Sequence, residues 1–239
     1  MRRAFGFLTV VGSPRPPEPA TLRWFPVVGA AVGLVVGAVW WGAERLWPPL
    51  VAAVIAVIAD LALTGMLHVD GLADSADGLL APMGRARRLE VMATPDVGAF
   101  GVTVVAVVLL ARVAGLDATK PAPLLIAGLW CASRTLMATA VTVLPYARPD
   151  RGLASAFRGA RTGPAGRVAL MGGGVTAALV LAFVGSGVPG VVAVTVAAAA
   201  GIAVLGFAHR RVGGYTGDVL GAAGLIAESA GLVVAAARW

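Results

Sequence analysis

Seven apolar runs of 17–24 residues follow one another along this chain, near 25–43, 49–69, 97–116, 121–144, 168–184, 188–208 and 219–237. Wound as a helix at 1.5 Å per residue, a run of that length crosses the ~30 Å hydrocarbon core of a bilayer. Inside that core only helices and closed barrels satisfy their own backbone groups, and nothing in the pattern resembles a barrel. The sequence therefore predicts an all-α, polytopic transmembrane helix bundle of about seven spans. The count falls to six if the Gly172-Gly173-Gly174 run or the Glu228-bearing last run does not cross. Residues 1–239 read as a single integral membrane domain, with an Asp-rich connector over 70–96. Composition agrees, since 59% of residues are hydrophobic and 13% charged, against about a quarter charged in soluble domains. A lone cysteine, Cys131, and two histidines exclude a disulfide scaffold and a Cys/His zinc cluster. The first 24 residues carry four arginines and a Pro-rich stretch but no signal-peptide h-region.

The charges are sorted. The net charge of +7 would point to nucleic acid in a soluble protein; here the arginines sit between spans, and no nucleic-acid partner is expected. With the N-terminus in the cytoplasm, the inside segments hold Arg2, Arg3, Arg15 and Arg23; Arg85, Arg87 and Arg88; Arg148, Arg151, Arg158, Arg161 and Arg167; and Arg210 and Arg211. The outside segments hold Arg45, Lys120 and Arg238. This alternation is the positive-inside pattern and predicts a multi-pass protein of the plasma (inner) membrane, with lipid as its surroundings.

The acids gather as well. After the second run the chain reads His68-Val69-Asp70-Gly71-Leu72-Ala73-Asp74-Ser75-Ala76-Asp77-Gly78. Aspartates four and three apart share one side of a helix, where like charges repel. Three carboxylates on an otherwise apolar stripe, with no lysine between them, point to a hard divalent cation. Mg²⁺ takes oxygen ligands and bridges carboxylates to substrate phosphates. The competing reading is a solvated acidic face. His68 falls on the far side of the helix, as a cap, a packing residue or a substrate contact.

Two further polar regions lie on the same predicted cytoplasmic face. Gly213-Gly214-Tyr215-Thr216-Gly217-Asp218 opens the last run, and its Gly214, Thr216 and Gly217 amides suit an anion at a helix N-terminus, with Asp218 beside them. In Pro145-Tyr146-Ala147-Arg148-Pro149-Asp150-Arg151, Arg148 and Arg151 are candidate clamps for a phosphate. Asp60, Arg134 and Glu228 fall deep inside runs, each about 14–15 Å from the cytoplasmic end at 1.5 Å per residue. They are expected to pair in the interior with Arg134 at the centre. Arg112, near the outer end of its run, is expected to snorkel.

At these motifs the sequence resembles the cobalamin-5′-phosphate synthase (adenosylcobinamide-GDP ribazoletransferase) family. The match runs in order through Phe7-Leu8-Thr9, Phe25-Pro26-Val27-Val28-Gly29, the stretch from Thr64 to Gly78, Val97-Gly98-Ala99-Phe100-Gly101, Ser133-Arg134, Tyr146-Ala147-Arg148 and Gly214 to Asp218. It departs where the family usually has an arginine after Phe-Leu-Thr, here Val10, and where a glutamate usually stands seven residues after the last aspartate, here Leu225. Glu228 is the carboxylate one turn further on. The resemblance implies that the 3′-hydroxyl of α-ribazole, or of its 5′-phosphate, attacks the cobinamide-linked phosphorus of adenosylcobinamide-GDP. GMP leaves, and adenosylcobalamin or its 5′-phosphate forms, the last assembly step of cobalamin biosynthesis. It implies Mg²⁺ as cofactor, with Asp70, Asp74, Asp77 and Asp218 as ligand candidates and Asp77, Asp96 or Asp218 as general base. A homo-oligomer is left open.

Other readings share the same residues. Asp74-Ser75-Ala76-Asp77-Gly78 also looks like half of a CDP-alcohol phosphotransferase motif, but Pro82 replaces the arginine that would follow. A membrane prenyltransferase would normally carry two Asp-rich motifs. An ion-coupled transporter would use Asp60, Arg134 and Glu228 as a pathway and would show repeat symmetry between halves.

Overall fold

A computed structural model describes residues 1–12, 17–148, 153–157 and 163–239. Its helices are α1 (Arg2–Leu8), α2 (Phe25–Ala43), α3 (Pro49–Thr64), α4 (Leu67–Leu80), α5 (Arg85–Val91), α6 (Ala99–Asp117), α7 (Pro123–Val143), α8 (Pro164–Val212) and α9 (Gly217–Ala235), with 3₁₀ turns at Pro19–Trp24 and Leu153–Phe157. Among the described residues, five helices are long and apolar enough to cross a membrane: α2 with its leading turn, α6, α7, α8 and α9. The bent pair α3–α4 makes a sixth. Prolines at the first turns of α2, α3, α7 and α8 start those helices where a backbone N–H has no partner to lose.

The 49 residues of α8 would span about 74 Å if straight. They do not run straight. Gly187 has φ 63° and ψ −142°, Pro189 follows it, and Gly190 lies against the carbonyl of Ala182. Met171 and His209 line the same apolar cavity, so the chain doubles back at Gly187. The two arms coincide with the predicted runs 168–184 and 188–208. Burial separates centre from rim: in an 18-residue apolar stretch of each helix, 78% is buried in α7 and 67% in α9, against 22% in α6 and 33% in one stretch of α8. The rim helices expose Val102, Leu110, Phe183 and Ile202, an apolar surface suited to lipid.

One predicted span is corrected. The 49–69 run is not one helix, because α3 stops at Thr64 and α4 leaves at 90°. Gly65 (φ 59°) and Met66 (φ 57°) both take the left-handed conformation, which ends the α3 ladder. The Asp-rich head of the 70–96 connector is thereby a helix, packed against α9 and α6.

The interior charges pair, but in a different arrangement from the one expected. Arg112, on α6, is the bridge: its Nη2 donates to Asp60 Oδ2 at 2.6 Å and its Nη1 to Glu228 Oε2 at 3.1 Å. Arg134 pairs with Glu228 and its Nη1 donates to Ser133 Oγ at 2.6 Å, while Ser133 Oγ donates to Glu228 at 2.6 Å. Trp130 Nε1 donates to Asp60 Oδ1 at 2.9 Å, and the Arg112 guanidinium lies 4.8 Å from the Trp130 ring centre. Arg112 does not snorkel; it is 1% exposed. With Asp60 and Glu228 facing inward from α3 and α9, the nearest low-energy position for this cation is between them rather than at the interface.

Candidate active site

The site forms where α4 crosses α9. Gly71 makes the crossing close: a Cβ there would stand 2.8 Å from the Asp218 carbonyl oxygen and 2.9 Å from its Cα. Gly221 faces His68 in the same way, its added Cβ 3.3 Å from the His68 Cα. Any side chain at Gly71 would push the two helices apart, so the sequence brings the Asp-rich motif onto the Gly-Tyr-Thr-Gly-Asp motif by leaving side chains out.

The start of α9 is held by its own cap. Thr216 Oγ1 accepts from the Val219 amide at 3.2 Å and donates to Asp218 Oδ2 at 3.2 Å. Just before it, the chain pairs with the segment leaving α7. The Tyr215 amide donates to the Pro145 carbonyl at 2.9 Å and the Ala147 amide to the Tyr215 carbonyl at 2.8 Å. Gly214 lies flat on the Pro145 carbonyl, so its part is this close pairing. The pairing delivers Arg148, whose Nη2 donates to Asp218 Oδ2 and to the Met92 carbonyl, both at 2.7 Å.

The three aspartates of α4 part company. Asp70 is exposed and Asp74 half-buried, and the charges that act on Asp74 are those of Asp218, Asp70, Arg148 and Asp77. Asp77 is buried and turned to α6, where Oδ2 accepts from the Gly98 amide at 2.7 Å and Oδ1 from the Gly101 amide at 2.9 Å. Its carboxylate thus caps a helix N-terminus, where negative charge is favoured. At the other helix, Arg88 Nη1 donates to the Gly78 and Leu79 carbonyls, both at 2.8 Å, and closes the C-terminus of α4.

A cavity of about 140 Å³ opens beside the crossing. Its polar end is formed by Asp70, Arg148, Gly217 and Asp218, its apolar wall by Phe7, Leu8, Phe25, Met137 and Phe157, and His68 stands among them. His68 is 3% exposed, and its Nε2 has no hydrogen-bond partner among the described residues. The expectation that His68 faces away from the aspartates holds for Asp77 but not for Asp70, which lines the same cavity. Asp96 is exposed on the loop before α6, outside the cavity lining. Arg151 lies outside the described residues. Phe25 and Phe157 join the site without a signal in the sequence: the Phe7 and Phe25 motifs are visible there, but nothing local ties them to the aspartates. Among the described residues, no three His, Cys, Asp or Glu side chains stand close enough to hold a metal ion unaided.

A bent Asp-bearing helix crossed on a capped helix start, inside a bundle of apolar helices, defines a multi-pass membrane protein with an acidic, arginine-countered site at one end. The model of the cobalamin-5-phosphate synthase family matches residues 1–236. A protein of Azorhizobium caulinodans named adenosylcobinamide-GDP ribazoletransferase is 38% identical over 215 residues, covering 87% of this chain and 80% of that protein. Proteins of the same name are 37% identical in Chlorobaculum tepidum (91% of this chain, 85% of that protein) and 35% identical in Bradyrhizobium diazoefficiens (99% and 93%). No solved structure matches. The chain belongs to the cobalamin-5-phosphate synthase family.

Proposed function

We propose that this chain is an adenosylcobinamide-GDP ribazoletransferase. The observation that carries the reading is the α4–α9 crossing, which puts Asp70, Asp218 and Arg148 at one cleft, with Asp74 within reach of their charges, on a frame of apolar helices. In the reaction, the 3′-oxygen of α-ribazole or its 5′-phosphate bonds to the cobinamide-linked phosphorus. The bond from that phosphorus to the GMP oxygen breaks, and GMP departs with the electron pair. The hydroxyl proton passes to a carboxylate. Of the three base candidates, Asp218 lines the cavity and Asp77 and Asp96 do not, so Asp218 takes that role. Arg148 orients the Asp218 carboxylate and offers positive charge to the transferring phosphoryl group.

Mg²⁺ is the proposed cofactor. The donor set fits an ion that is usually held by one or two carboxylates together with water and substrate phosphate. Asp70 and Asp74 would hold it, and when bound it would neutralise the charge developing on the diphosphate. Both oxygens of Asp77 are engaged by α6 amides, so Asp77 serves to anchor α4. The site end of the bundle faces the cytoplasm in this reading, because the arginine-rich connectors meet there: Arg85 packs on Gly213, Arg88 on α4 and Arg148 on Asp218. The membrane is the inner one. On the transporter reading Asp60, Arg134 and Glu228 would line a pathway; they are instead bonded into one buried cluster with Arg112.

The test is turnover in purified membranes supplied with adenosylcobinamide-GDP, α-ribazole and Mg²⁺. GMP and adenosylcobalamin should appear together. A folded preparation that releases no GMP overturns the proposal.

A further inference from the structure

We infer that the cavity beside the α4–α9 crossing is the subsite for the aromatic base of the nucleoside acceptor, with the ring against Phe7, Phe25 and Phe157 and His68 hydrogen-bonded to its edge. The inference rests on the proposed transferase activity and adds where one of the two substrates lies. Phe7, Phe25 and Phe157 come from three separate parts of the chain and form one cluster. The Phe7 and Phe25 rings are 5.9 Å apart and stacked, and Phe157 meets them edge-on at 5.3 and 5.8 Å. Aromatic rings favour these stacked and edge-on arrangements, and Phe7 is the member of the cluster that keeps partial exposure. The cavity measures about 140 Å³, and the Phe cluster and Asp218 both line it.

Two bases enter the reaction, the benzimidazole of ribazole and the guanine of the GDP moiety. The wall chemistry distinguishes them. Guanine carries several donors and acceptors on its edge, and a lining of Phe, Leu and Met would leave most of them unpaired at the usual desolvation cost. A benzimidazole riboside has one unsubstituted ring nitrogen, an acceptor. The cavity's apolar wall offers one matching group, the Nε2 of His68, which is buried and lacks a partner among the described residues. In the tautomer with hydrogen on Nε2, His68 donates to that nitrogen. The ribose then extends toward Arg148 and Asp218, where its hydroxyl meets the proposed base.

The test uses the full chain in nanodiscs. Equilibrium dialysis with α-ribazole alone, without Mg²⁺ or the corrinoid substrate, should show saturable binding, weakened about tenfold or more by Phe25→Ala and by His68→Ala. Phe7→Leu, at a partly exposed position, keeps the variant set informative if Phe25→Ala does not fold; it should weaken binding severalfold. His68→Gln, which retains an N–H donor, should recover part of the loss. In turnover, each variant should raise KM for α-ribazole while KM for adenosylcobinamide-GDP stays unchanged. Failure of all three variants to weaken riboside binding overturns the subsite. So does a loss that falls instead on GMP binding or on the KM of the corrinoid substrate, which would place guanine in the cavity. Absence of turnover in the wild type would sink the activity itself and is read separately from these outcomes.

Discussion

Removing the Arg112 guanidinium should be among the most damaging single changes in the bundle. Arg112 neutralises two buried carboxylates at once: Asp60, 3% exposed, and Glu228, 1% exposed. Arg134 supplies the other positive charge, so the cluster of two acids and two arginines is electrically neutral. In Arg112→Leu the cluster carries one uncompensated negative charge at membrane depth, and the charge-assisted bonds of 2.6 and 3.1 Å are lost. Breaking a buried pair by deleting one partner costs about 3–5 kcal/mol, a large part of a typical total of about 5–15 kcal/mol. The second variant decides whether charge or packing is responsible. Asp60→Asn added to Arg112→Leu restores neutrality, and the pair should be more stable than Arg112→Leu alone by about 1–2 kcal/mol, within the usual coupling range. Arg112→Lys, with one nitrogen for two carboxylates, should fall between wild type and Leu. Denaturant titration in bicelles, followed by tryptophan fluorescence, measures all four proteins. An Arg112→Leu variant within about 0.5 kcal/mol of wild type, or a double variant no better than the single, would refute the argument.

Other expectations concern the site. Asp74→Asn should keep its fold by circular dichroism and lose more than ~10²-fold in turnover; near-normal rates would remove Asp74 from the metal set. Gly71→Ala places a Cβ 2.8 Å from the Asp218 carbonyl oxygen. That should cost about 1–3 kcal/mol in overpacking and lower turnover at least ~10-fold by separating the two halves of the site, as stability and rate measured on one preparation would show. Asp77→Ala should cost about 1–2 kcal/mol through loss of the α6 cap without abolishing Mn²⁺ binding in a paramagnetic titration, whereas Asp74→Asn should abolish it. Gly101→Ala, whose Cβ would press on the Asp77 carboxylate, should reproduce the stability loss of Asp77→Ala.

The helical class, the fold-back of the fifth and sixth runs and the meeting of the Asp-rich and Gly-Tyr-Thr-Gly-Asp motifs were legible in the sequence. Hydrophobic run length carries the first two directly. The third followed from loop charge, which assigned both motifs to one face. Periodicity carries less where two partners compete. Asp70, Asp74 and Asp77 share a stripe by spacing, but the stripe is wide enough for Asp77 to reach the free amides of α6 while Asp70 and Asp74 face α9. Arg112 differs from its expected place for a related reason. Its distance from the end of its run permits snorkelling, and only the inward positions of Asp60 and Glu228, set by the packing of α3 and α9, make the interior the lower-energy place. The Phe7–Phe25–Phe157 cluster joins residues up to 150 positions apart, a distance over which no local pattern carries information.

The break between α3 and α4 ties these observations together. A helix continued straight from Asp60 through Asp77 would carry the Asp-rich motif along the α3 axis, away from Asp218. Instead Met66 takes φ 57°, a conformation that costs a non-glycine residue about 1–2 kcal/mol, and α4 swings through 90° onto α9. Three contacts then hold it from different sides: Gly71 against Asp218, Asp77 on the α6 amides, and Arg88 on the last carbonyls of α4. The strain at Met66 is thus confined to one residue, while its restraint is distributed over α9, α6 and α5. That division accounts for how a single turn of backbone places Asp70 in the cleft and Asp74 beside Asp218, and leaves Asp60, four residues before the end of α3, in the ion-paired interior.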